Sequence, residues 1–157
     1  MLLRKLFIVS LLYFGIALAA AQQEPAYVIL PQTEANTLIG ARLFGLRGKI
    51  TGTWEPKRDD VAELETNFNQ VTALSRKNSP GPEVDNPASN FRQYLGLLAG
   101  RRKLIYVNAF CLDNNGMQPN YLRYLFQGIE GGGSCVWRAL YDVSEGKFVG
   151  LSVNPVI

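Results

Sequence analysis

The spacing of apolar residues changes once along this chain, from helical to alternating, and the change falls on a stretch that no regular element can cross. Within residues 56–74, Val61, Leu64, Phe68 and Val71 recur three or four apart and share one helix face, while Lys57, Glu63, Asn67 and Gln70 occupy the others. Pro56 suits a first turn, where its missing N–H would have no partner, and Asp59 and Asp60 stand where the helix dipole favours negative charge. Residues 78–90 hold Pro80, Gly81, Pro82 and Pro87, which end the helix. Beyond them the period is two. Residues 91–98 and 104–111 read as strands joined around Gly100, and residues 135–143 and 148–153 as strands joined around Ser144-Glu145-Gly146. The expected fold class is α+β, one main helix packed on a four-stranded antiparallel sheet of two hairpins.

Register decides which side chains meet the helix. A three-residue turn in the second hairpin pairs Val143 with Lys147, Tyr141 with Val149, Ala139 with Leu151 and Trp137 with Val153, which gives one apolar face. Arg138, Asp142 and Ser152 then fall on the opposite, solvated face. In the first hairpin a slip of one residue reverses the strand, so both parities are open; the compact aliphatic set Ile105, Val107 and Cys111 favours the version that turns Tyr106, Asn108 and Phe110 outward. Before the helix, Tyr27-Val28-Ile29-Leu30 is a β-prone run stopped by Pro31, and residues 35–47 fit either a short helix or an irregular strand.

The first 21 residues are set apart by chemistry. Arg4 and Lys5 precede an uncharged run from Leu6 to Ala21, and Ala17-x-Ala19 or Ala19-x-Ala21 supplies the small residues of a cleavage site. That run of 16 residues is shorter than the roughly 20 a membrane span needs. Residues 1–21 are therefore read as a secretory signal peptide and 22–157 as a single domain, exported to the periplasm or secreted, with no stable membrane insertion after cleavage. The absence of an Asn-x-Ser/Thr sequon tilts the reading toward a bacterial exported protein.

Composition narrows the chemistry. The chain has no histidine, which removes Ser-His-Asp and Cys-His catalysis and histidine zinc motifs, and its two cysteines are too few for the usual structural zinc site. No cofactor or metal is expected. Losing Arg4 and Lys5 changes 16 Lys+Arg against 13 Asp+Glu into 14 against 13, so nucleic acid is not an expected partner. In an oxidising compartment Cys111 and Cys135 are expected to form a disulfide, two unpaired core cysteines being the competing reading.

Several sequence motifs carry a resemblance. Trp54-x-Pro56 with Asp60-Val61 and Leu64-Glu65, Arg92-Gln93-Tyr94-x-Gly96, Ile105-Tyr106-Val107-Asn108-x-Phe110 and Gly131-Gly132-x5-Arg138-x2-Tyr141-Asp142 resemble a family of small exported bacterial proteins of no assigned activity. The resemblance covers roughly residues 50–154, and it implies a fold and a compartment but no chemistry. The order of elements is similar to cystatin-like folds by topology only.

A ligand site on the sheet would draw on Arg92, Tyr94, Tyr106, Asn108 and Asp142, with Gln93 beside them, a set able to grip a carboxylate or a sugar if it converges. Alternation lets at most half of them share a face. Arg101-Arg102-Lys103 offers charge for an anionic surface, and a solvated hairpin tip is its plainer reading. Gly128 to Gly133 lacks the Lys-Ser/Thr of a phosphate loop and reads as the approach to the third strand. No catalytic residue stands out. The expected function is non-enzymatic binding of a protein or envelope component, the alternative a small hydrolase- or lyase-like enzyme using Tyr, Arg and Asp of the sheet.

Overall fold

The structure, a computed structural model, describes residues 26–77, 81–112, 116–127 and 130–156, so the expected signal peptide lies outside the described residues. The fold is α+β around a mixed sheet of six strands. Strand β1 (Tyr27–Ile29) pairs in parallel with one half of β3 (Phe91–Ala99), and β2 (Gly52–Trp54) pairs antiparallel with the other half of the same edge. The meander β3, β4 (Arg102–Phe110), β5 (Val136–Asp142) and β6 (Lys147–Val153) completes the sheet. The two hairpins thus form as expected, but the sheet is six-stranded and mixed, because two three-residue strands too short to show an alternating pattern fill the edge of β3.

Gly96 makes that edge possible. A Cβ there would stand 2.2 Å from the Trp54 carbonyl oxygen and under 3 Å from the Pro56 ring, so only glycine lets the 54–56 segment cross β3. The expected helix over 56–74 is two helices, α2 (Arg58–Thr66) and α3 (Asn69–Lys77), with α1 (Gln32–Asn36) earlier in the chain. The break has a local cause. Thr66 Oγ1 and Asn67 Nδ2 both donate to the Glu63 carbonyl, at 2.6 and 3.0 Å, which gives the backbone an alternative to the helical ladder. Val61, Leu64, Phe68 and Val71 remain on one face, buried against Tyr94, Ile105, Val107, Trp137, Ala139 and Tyr141.

The first hairpin closes through a two-residue loop, Gly100-Arg101, with Ala99 opposite Arg102 and Gly100 at φ +63°. Ile105 and Val107 face α2 and α3, the favoured parity, and Ala109 follows them. Cys111 corrects one detail: it lies exposed beyond the end of β4, not in the core, and is bonded to Cys135 with the Cα atoms 5.0 Å apart. The second hairpin keeps Ala139 opposite Leu151 and Trp137 opposite Val153, whereas a bulge pairs Tyr141 with Phe148 and Asp142 with Lys147. Phe148 therefore meets the helices, and Val149 joins the cluster on the other side of the sheet.

That other side is not solvated, contrary to the expectation for Tyr106, Asn108, Phe110 and Asp142. Leu30, Ala35 and Ile50, with Leu38, Leu43 and Phe44, cover Leu95, Leu97, Leu104, Tyr106 and Leu140. Tyr121 and Phe126 pack on Phe110 with ring centroids 5.1 and 4.9 Å away. The sheet is the middle of three layers, α2 and α3 on one face and, on the other, largely irregular chain that includes the short α1 and a 3-10 turn at Pro119–Leu122. An alternating strand pattern shows which residues share a face and cannot show that non-repetitive segments will bury the second face.

Candidate functional site

The five sheet residues expected to form a site are divided between the two faces. Residues opposite one another in an antiparallel pair point the same way. Tyr94 opposite Val107 and Arg92 opposite Ala109 lie on the helical face, while Tyr106, Asn108 and Asp142 lie on the covered face. On the helical face Arg92, 3% exposed, is consumed internally. Its Nε and Nη2 donate to Glu65 Oε1 at 3.2 and 3.0 Å, its Nη1 donates to the carbonyls of Ala88 and Asn90, and the guanidinium lies over the Phe68 ring. Tyr94 donates to the same Glu65 oxygen at 2.8 Å. Burial pushes the Tyr94 hydroxyl well above the usual tyrosine range, with Arg92 pulling against the rise and Glu65 adding to it. This cluster joins α2 to β3.

On the covered face Gln93 and Asn108 do the work of a backbone. Gln93, fully buried, donates through Nε2 to the carbonyls of Tyr121 and Tyr124 at 2.8 and 2.7 Å, and its Oε1 accepts from Asn108 Nδ2 and from the Phe126 amide. Asn108 also donates to the Phe126 carbonyl at 2.8 Å. Glu34 Oε2, on α1, accepts from the Leu125 amide at 2.8 Å. These bonds fix an irregular segment from beneath, as buried amides must be satisfied when no strand partner reaches them. The same buried face holds Tyr106, whose hydroxyl burial pushes up to about 12 against the lowering pull of Arg138.

Asp142 closes the second hairpin. Its Oδ1 accepts from the Ser144 amide, the Ser144 hydroxyl and the Glu145 amide, and its Oδ2 pairs with Arg102 at 2.7 Å. Burial opposes its charge, but these bonds outweigh burial and hold the carboxyl below the ordinary range. The basic tip is correspondingly divided: Arg102 is paired, Lys103 Nζ lies 4.8 Å over the Trp54 ring, and Arg101 stays at the exposed turn. At the other end of the sheet Asn90 donates to the Cys135 carbonyl and accepts from Trp137 Nε1 at 3.0 Å, beside the disulfide. Gly131, Gly132 and Gly133 all take positive φ and lead into β5, as expected, while Gly128 and Ile129 lie outside the described residues.

What the covered face holds from below, it shows to the outside. Among the described residues four large hydrophobic side chains are exposed, and three of them, Ile39 at 49%, Leu122 at 37% and Tyr124 at 57%, belong to the irregular layer. Exposed Arg42, Arg47, Lys49 and Arg123 belong to it too. None of these seven stood out in the sequence: Leu122, Arg123 and Tyr124 fall in residues 119–127, which follow neither a helical nor a strand period, and the other four fall in or beside residues 35–47, which fit either a short helix or an irregular strand. Clefts lie around Asn90 and Cys111, along Phe68 to Arg76, and at the margin of this layer where Leu30 and Pro31 face Pro56. Among protein-family models, curated proteins and solved structures, nothing matches the chain. Its geometry carries the functional reading.

Proposed function

We propose that this chain is an exported, non-enzymatic binding protein that engages a component of the cell envelope through the outer surface of its irregular layer. The observation that carries the reading is the treatment of residues 121–126. Gln93 and Asn108 tie this segment down from within, and Tyr121 and Phe126 anchor it on Phe110, while Leu122, Arg123 and Tyr124 are left exposed. Ordering an irregular segment costs conformational entropy, and a pre-ordered segment with exposed aromatic, apolar and basic side chains loses less of it on binding. The disulfide fits export, and among the described residues no helix is long and apolar enough to cross a membrane. The alternative, a small hydrolase or lyase, needs Arg92, Tyr106 and Asp142 in one cleft, and the sheet separates Arg92 from the other two.

A photoactivatable phenylalanine analogue at position 124, compared with one at exposed position 62 on α2, tests the reading. Irradiation in an envelope fraction should give adducts from position 124 and few from 62. Equal yields, or adducts from 62 alone, would move the binding face away from this layer.

A further inference from the structure

We infer that the partner of this layer is an anionic lipid bilayer, on whose surface the protein lies with Leu122, Tyr124 and Ile39 at the headgroup level. The inference rests on the reading that the irregular layer is the binding face, and it deepens that reading by naming the partner's chemistry.

The two outer layers carry opposite charge. In the irregular layer, described residues 30–50 and 116–127, the cations are Arg42, Arg47, Lys49 and Arg123 and the one acid is Glu34, whose Oε2 is turned to the Leu125 amide. Counting Asp113, outside the described residues, still leaves cations ahead of acids by two. Across the sheet, the described residues of 55–90 hold Lys57, Arg58, Arg76 and Lys77 against seven acids, so that layer is net negative. A net charge of only +3 for the whole chain conceals this polarity. An anionic surface would attract one layer and repel the other, which orients the molecule.

The apolar side chains of the irregular layer fit a bilayer better than a protein pocket. Ile39, Leu122 and Tyr124 are not among the residues that line the clefts around Asn90, along Phe68 to Arg76 or at Pro56. Cations stand close to them in sequence, Arg123 between Leu122 and Tyr124 and Arg42 three residues after Ile39. Interfacial docking uses this combination: apolar and tyrosine side chains reach the acyl boundary while basic side chains meet the headgroups. The hairpin tip, the first basic candidate in the sequence, is less suited, since Arg102 and Lys103 are held by Asp142 and Trp54.

Cosedimentation of the purified exported chain with phosphatidylcholine vesicles, with and without phosphatidylglycerol, tests the inference. Binding should require phosphatidylglycerol and should fade as salt shortens the reach of surface charges. Arg42→Glu with Arg123→Glu should weaken it by at least about tenfold, and Leu122→Ser with Tyr124→Ser should weaken it at unchanged salt dependence. Arg58→Glu with Lys77→Glu, on the helical side, should leave it intact; all six positions are exposed, and circular dichroism checks that each variant is folded. Absence of vesicle binding, indifference to phosphatidylglycerol, or loss only in the helical-side variant would overturn the inference. Adducts from position 124 with an envelope protein, together with no vesicle binding, would overturn the lipid partner and keep the binding face. Failure of both experiments would remove both.

Discussion

Asp142 is a fully buried carboxylate that owes its charge to its neighbours. Because its folded pKa is lowered, the stability it contributes is present above the unfolded value of about 3.9 and is lost as pH falls through the folded value. Urea unfolding followed downward from pH 7 should show a decline that sets in below about pH 4 and is shallower in Asp142→Asn, which no longer titrates. An unchanged acid limb would mean that other carboxylates dominate. Tyr106 behaves in the opposite sense. Its folded pKa is raised to about 12, so the unfolded chain ionises first, and stability present below about pH 10 is lost as pH rises toward 12. Absorbance titration of tyrosinate should lose a late-titrating component in Tyr106→Phe; a titration unchanged by that substitution would place the hydroxyl in water.

Residues 121–126 and the Cys111–Cys135 end of the sheet are held by different means. Gln93→Leu removes the acceptor of Asn108 and of the Phe126 amide and the donor to two carbonyls, and orphaned buried groups cost roughly 1–3 kcal/mol each. The loss should appear locally, as faster tryptic cleavage after Arg123 at a temperature where the sheet persists. Cleavage at the wild-type rate would show that the aromatic anchors suffice. The disulfide Cys111–Cys135 closes a loop across a sequence separation of 24, worth about 3.5 kcal/mol by the chain-entropy argument. Replacing both cysteines by alanine should lower the unfolding free energy by about that amount. A change below about 1 kcal/mol would mean that the 2.9 Å bond from the Cys111 amide to the Cys135 carbonyl and the Asn90 bond to that same carbonyl already fix this end.

At the scale of the molecule, export is the premise on which the binding proposals stand. Intact-mass measurement of the exported fraction should find a chain beginning near Ala20 or Gln22, as the Ala-x-Ala pattern directs. A chain retaining Met1 in the membrane fraction would indicate an anchor. The parts of the fold legible in the sequence are those written in short-range repetition. The helix face of Val61, Leu64, Phe68 and Val71, the four strands of the meander, and the pairing of Trp137 with Val153 all follow from spacing, since a periodic element repeats its own environment. The cysteine pair was legible from the count of two and the expected oxidising compartment. The tertiary structure alone decided that Gln93 and Asn108 would clasp residues 121–126, that Arg92 and Asp142 would be spent on internal ion pairs, and that one outer layer would be basic and the other acidic. Those partners lie 18 to 40 positions apart along the chain, beyond the reach of any local pattern. Only closing the chain does.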